Sequence, residues 1–185
     1  MGTTYEHAAL LVMDVQPNII ERLGDAKTTY LDSVRAAVAA AHAHNIPVIF
    51  VVVGFRPGLP EISSRNKSFS TLKGDTTRDM TQYAPVLQPE GSDIVVTKRR
   101  ISAFTGSDLE VVLRGQDVTH LILCGISTSG VVLSTTREAA DKDYKLTILS
   151  DLCNDADSEV HTVLTEKIFP KQATVMLSQD WIESL

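Results

Sequence analysis

Two uninterrupted apolar runs, Ala8-Ala9-Leu10-Leu11-Val12-Met13 and Val48 to Val53, constrain this chain more than any other feature. Neither run alternates with polar residues, so neither offers a face to water. Each reads as a strand covered on both sides, the habit of parallel sheets rather than of half-solvated antiparallel ones. Between them Leu31, Val34, Ala37, Val38 and Ala41 recur at helical spacing across 28–45, and Asn45 followed by Pro47 supplies a stop. The alternation then repeats, with strands over 94–96, 120–124, 145–149 and 174–176 and helices over 107–114, 130–141 and 158–169. Six strands separated by helices predict an α/β fold, a six-stranded and mainly parallel sheet flanked by helices. Ser107 and Glu110 stand three apart, the spacing of a capping box, and place a helix start there.

The 185 residues suffice for one sizeable core and would leave two halves unusually small, so 1–185 is expected to form a single domain. A hydrophobic share of 43% against 22% charged excludes a largely disordered chain. With 17 basic against 23 acidic residues and no basic run longer than Lys98-Arg99-Arg100, the footprint of a nucleic-acid partner is missing. Residues 1–7 are polar and lack a basic stretch followed by an apolar one, and no apolar run approaches about 18 residues. A soluble, unexported, cytoplasmic protein with no membrane partner is expected. Two cysteines, Cys124 and Cys153, do not make a disulfide scaffold and suit a reducing compartment.

The stretch 54–93 breaks the rhythm with Pro57, Pro60, Pro85, Pro89 and the polar run Ser63 to Lys67. A loop this long in a compact domain reads as a lid or a contact surface, with disorder as the alternative.

In an open parallel sheet, ligands bind beyond the carboxyl ends of the strands. The polar residues there are Asp14, Gln16, Arg56, Lys98, Arg100 and Ser127 to Ser129. Asp14 alone is as compatible with a helix N-cap as with chemistry, and Lys98 alone with a solvated lysine. If the two converge in a partly buried cleft, each shifts the other's pKa and the pair can move or stabilise charge. Gly125-Ile126-Ser127-Thr128-Ser129-Gly130 reads either as a tight strand-to-helix turn with a hydroxyl N-cap or as an oxyanion site made of backbone amides.

Three blocks then become familiar together: Leu11-Val12-Met13-Asp14-Val15-Gln16, Lys98-Arg99-Arg100-Ile101-Ser102-Ala103-Phe104, and Cys124-Gly125-Ile126-Ser127-Thr128 continuing through Thr135-Thr136-Arg137-Glu138-Ala139-Ala140-Asp141. In this order and spacing the chain resembles the isochorismatase-like hydrolases, also called the cysteine hydrolase superfamily. The resemblance implies a Rossmann-like sheet and an active site of an aspartate, a lysine and usually a cysteine. Asp14 and Lys98 match the first two. The nucleophile position, three residues after Thr128, holds Val131. Cys124 precedes the turn and Cys153 lies two strands away, so both read as small buried side chains. Ser127 and Ser129 carry hydroxyls near the vacancy, but no histidine stands near them in sequence to activate either.

The resemblance further implies that true isochorismatases lack the cysteine and cleave an enol ether through an aspartate general acid. By that route Asp14 is the acid and Lys98 its electrostatic partner. Arg56 or Arg100 would clamp a substrate carboxylate, and Gln16, Phe104, Ser127 and Thr128 would complete the substrate contacts. Val131 beside Asp14 would desolvate it and raise its pKa. Two further functions remain open, amide or C–N hydrolysis without a cysteine and small-molecule binding without turnover.

Metal-dependent nicotinamidases carry Asp-x-His after the second strand, where this chain has Gly54-Phe55-Arg56, so no metal or other cofactor is expected. His7, His42, His44, His120 and His161 form no ligand-like cluster and read as surface or capping residues. A non-proline cis peptide at Ile126-Ser127 and assembly into homodimers or homotetramers are also implied by the resemblance.

Overall fold

The computed structural model describes residues 5–74 and 84–185. The strands are β1 (Ala8–Met13), β2 (Val48–Val53), β3 (Ile94–Lys98), β4 (His120–Ile126), β5 (Lys145–Asn154) and β6 (Thr174–Met176). The helices are α1 (Pro17–Ile20), α2 (Lys27–Ala43), α3 (Lys67–Ser70), α4 (Leu109–Gly115), α5 (Leu133–Asp141), α6 (Ser158–Val163) and α7 (Ser178–Glu183). A π-helical turn, Thr128–Val132, leads into α5, and a second, Leu164–Ile168, extends α6. Among the described residues no helix is long and apolar enough to cross a membrane.

Every strand pairing is parallel, and the order across the sheet is β3-β2-β1-β4-β5-β6. The winding direction reverses between β1 and β4, and a sheet wound this way opens its crevice beyond the carboxyl ends of those two strands. Asp14 follows β1 directly, and the Gly125–Gly130 turn follows β4.

The continuous apolar runs are explained by cover on both faces. Ala9, Leu11 and Met13 join one core with Leu109, Leu113, Val132, Ala139 and Leu164, so α4, α5 and α6 lie on that side. Ala8, Leu10 and Val12 join the opposite core with Leu31, Val34, Ala37, Ala41 and Trp181, which places α2 and α7 there.

At the switch point β1 and β4 approach so closely that only glycine fits. Gly125 has φ 143°, and a Cβ added there would lie 2.1 Å from the Met13 carbonyl oxygen. Because that neighbour is backbone, the strand itself would have to move. Gly125→Ala is expected to destabilise the protein by more than about 2 kcal/mol in urea unfolding and to displace Asp14, the next residue along from Met13. Wild-type stability in this variant would contradict the close-approach account.

Several local expectations change. β5 runs on to Asn154, so Cys153 is not two strands from the turn but pairs with Gly125 on the neighbouring strand. The register jumps from Leu123↔Ile148 to Gly125↔Cys153, leaving Leu149 to Leu152 to bulge. Two groups in that bulge anchor other elements: the Asp151 carboxylate accepts from Ser178 N–H at 2.7 Å at the start of α7, and Leu152 C=O accepts from the Tyr30 hydroxyl at 3.1 Å.

The capping box does not form. α4 begins at Leu109, Ser107 N–H already donates to Phe104 C=O, and Glu110 reaches forward to Arg114 and Lys142 instead. Ser107 Oγ still accepts from Leu109 N–H at 3.2 Å. From the 54–93 excursion, Phe55 and Ile62 build a small apolar cluster with Val53 at the end of β2, and Phe69 and Leu72 pack against it. The lid or contact surface expected of this excursion reaches into 75–83, which lie outside the described residues.

Candidate active site

Asp14 sits one residue past β1 in the left-handed region, φ 57°, and its N–H donates to Val51 C=O at 2.8 Å, so the chain end of β1 is tied to β2. Lys98 is the last residue of β3, two strands away. Two inter-strand steps of roughly 4.8 Å are within reach of a lysine stem meeting a carboxylate. The two do converge: Lys98 Nζ lies 3.0 Å from Asp14 Oδ2, with Lys98 2% and Asp14 6% exposed. The ammonium is fixed from a second side by donating to Arg100 C=O at 2.9 Å.

The other carboxylate oxygen differs. Asp14 Oδ1 is buried and has no hydrogen-bond partner among the described residues. Burial pushes the Asp14 carboxyl from 3.8 up to about 6, against the charge and hydrogen bond of Lys98, which pull it down. An acid with one oxygen held by a cation and the other unpartnered can carry its proton on the unpartnered oxygen.

The turn after β4 contains the cis peptide Ile126-Ser127. The hydroxyl N-cap expected of this turn does not form. No side chain caps the π-helical turn, and the amides are largely committed: Ser129 N–H donates to the Asp155 carboxylate at 2.7 Å, while Gly130 N–H and Val132 N–H both donate to Ser127 C=O. Thr128 is fully buried, with its hydroxyl 2.9 Å from His161 Nδ1 on α6. Val131, also buried, joins the apolar cluster that contains Met13 and Cys153. Both thiols are free and buried; burial pushes Cys153 up to about 12 and Cys124 well above its ordinary value, which keeps each protonated and unreactive near neutral pH.

Four expected substrate contacts are engaged elsewhere. The Gln16 side-chain amide is held by backbone: it donates to Val53 C=O at 3.1 Å and accepts from Val53 N–H at 2.7 Å, continuing the pairing where β2 ends. Phe104 is 7% exposed and packs on the Tyr144 ring, with Lys142 Nζ 5.6 Å from its own ring centre. Arg56 pairs with Glu61 at 2.5 Å. Arg100 spends its guanidinium on the carbonyls of Arg99 and Glu61 at 2.6 and 2.8 Å.

Glu61 and Asp155 join the site without any signal in the sequence, and His161, expected as a surface or capping residue, instead meets Thr128. Asp155 and His161 meet partners 26 and 33 residues away, while Glu61 binds Arg56 five residues before it and Arg100 39 residues after it. His120 also departs from a surface role, being 3% exposed with Nε2 2.9 Å from Thr147 Oγ1. Among the described residues no group of three or more His, Cys, Asp or Glu side chains is placed to hold a metal ion.

A family model described as the Isochorismatase domain matches residues 8–180. The isochorismatase family protein YecD of Escherichia coli O157:H7 is 32% identical over 179 residues, covering 96% of this chain and 95% of its own. Ureidoacrylate amidohydrolase RutB of Pantoea ananatis is 28% identical, over 86% of this chain and 74% of its own. Among solved structures, an isochorismatase family protein from Burkholderia thailandensis superposes with a TM-score of 0.88 at 28% identity, covering 100% of this chain and 98% of that one.

Proposed function

Because the chain belongs to the isochorismatase family of hydrolases, we propose that it hydrolyses a small, anionic substrate with Asp14 as general acid, Lys98 as its electrostatic partner and no covalent cysteine intermediate. The observation that carries this reading is the unpartnered, buried Asp14 Oδ1 on a carboxyl raised to about 6. An ordinary ion pair would satisfy both oxygens and stay fully ionised; this one keeps an oxygen in reserve. A group of pKa about 6 is protonated in roughly one molecule in ten at pH 7, within the range where acid catalysis is efficient.

For an enol ether, the Oδ1 proton passes to the terminal alkene carbon and the ether oxygen stabilises the resulting cation. Water then adds to that cation, its extra proton returns to the Asp14 carboxylate, and the hemiketal collapses to a ketone and an alcohol. No bond to the protein forms, so a valine at position 131 is no obstacle. Lys98 holds the carboxylate left after proton transfer and prevents its charge from standing alone in an apolar site.

A second reading is favoured by the RutB resemblance: amide hydrolysis in which Asp14, ionised, takes a proton from attacking water. Incubation with isochorismate and with a panel of small amides separates the two. Pyruvate release that disappears in Asp14→Asn supports the acid route, ammonia release supports the amidase route, and absence of both products defeats both readings for those substrates.

A further inference from the structure

On the outer side of the edge strand β3 lies a groove of about 630 Å³ bounded by Arg56, Glu61, Thr97, Arg99, Arg100 and the turn 105–108. Neither Asp14 nor Lys98 lines it. Three arginines from two separate loops converge there on one residue. Glu61 Oε1 lies 2.5 Å from Arg56 Nη1 and 3.7 Å from Arg99 Nε, and the Glu61 backbone carbonyl accepts from Arg100 Nη2 at 2.8 Å. Arg99 also donates through Nη1 to Gly54 C=O.

The wall is shaped for this arrangement. Gly106 has φ 76°, and a Cβ there would meet the Arg99 Cβ at 2.9 Å, so the glycine makes room for the Arg99 stem. Glu61 does not fill the groove. A single side-chain carboxylate occupies a small part of 630 Å³, and its side chain is 14% exposed against 67% for Arg56, so the Arg56 guanidinium remains open to solvent beside it.

We propose that this groove is a binding site for a small carboxylate ligand and that Glu61 is its internal occupant, a tethered carboxylate that an external one displaces. The inference does not depend on the acid mechanism of Asp14, because it concerns binding alone. Guanidinium groups recognise carboxylates through N–H donors, and what Arg56 and Arg99 offer the Glu61 carboxylate they offer equally to a free anion, while Arg100 holds the Glu61 backbone in place. A tethered group competes at a high effective concentration, so wild-type affinity is expected to be weak. Arg100 links the groove to the catalytic pair, since its carbonyl is the second acceptor of Lys98 Nζ.

The test is calorimetric titration of the full chain with malonate at fixed ionic strength and pH 7. Glu61→Gln, which keeps the shape and removes the charge, is expected to bind malonate on the order of tenfold more tightly than wild type. Adding Arg56→Gln is expected to reverse that gain. Should Glu61→Gln fold poorly, Glu61→Asp withdraws the carboxylate by one methylene and is expected to bind with intermediate affinity. Equal malonate affinity in wild type and in the Glu61 variants, or a gain untouched by Arg56→Gln, would overturn the proposal. So would tightening for inorganic phosphate but not for malonate.

Discussion

Asp14→Asn is expected to lower kcat by roughly 10²–10⁴-fold, the range that a positioned general acid contributes, while changing substrate affinity little. Asparagine keeps the size of the side chain and an oxygen acceptor for Lys98 Nζ, which lies 3.0 Å from Oδ2, but has no proton to give in the accessible pH range. The site should therefore remain assembled and the chemical step fail. Single-turnover kinetics beside equilibrium binding of the same substrate distinguish this result from misfolding. A variant that retained more than about a tenth of wild-type turnover would remove Asp14 from the chemistry.

Lys98→Met is the second large effect, and it has a sign in pH. The charge and hydrogen bond of Lys98 pull the Asp14 carboxyl down against burial, so without them its pKa should climb further above 6. In the unfolded chain the carboxyl titrates near 3.8. Between 3.8 and the folded pKa, the folded state holds a proton that the unfolded state has released, so folding stability falls as pH rises through that window. In the variant the window extends upward, and above it a buried carboxylate stands without its cation, a loss of about 3–5 kcal/mol. Urea midpoints should therefore lie close to wild type at pH 5 and well below it at pH 8. The falling limb of the pH–rate profile should move to higher pH. A variant equally destabilised at both values would show that Lys98 contributes packing and not charge.

The sheet was legible because its inner strands β1, β2 and β4 are buried on both faces, and a run such as Val48 to Val53 admits almost no other environment. The positions of Asp14 and Lys98 were legible for a related reason: Asp14 directly follows such a run and Lys98 ends the shorter apolar edge strand β3, and parallel sheets place their crevice at these strand ends. The substrate contacts were less legible because a polar residue near a strand end has two uses, and sequence does not separate them. Gln16 pairs with the backbone of Val53 to finish β2, and Arg56 and Arg100 are claimed by Glu61. His161 and Asp155 escaped for want of any local signal, since their partners Thr128 and Ser129 lie 33 and 26 residues away. The bulge in β5 escaped too, and with it Asp151 as the anchor of α7.

Acid catalysis at this site requires the Asp14 carboxyl to hold its proton near neutral pH. Carbon-13 NMR titration of aspartate-labelled protein, with the Asp14 side-chain signal assigned by its loss in Asp14→Asn, measures that property without any substrate. The result expected is a midpoint at about 6, moving upward in Lys98→Met. A midpoint near the ordinary 3.8 would mean that Asp14 is a plain ion-pair carboxylate at neutral pH, and acid catalysis by this residue would be contradicted.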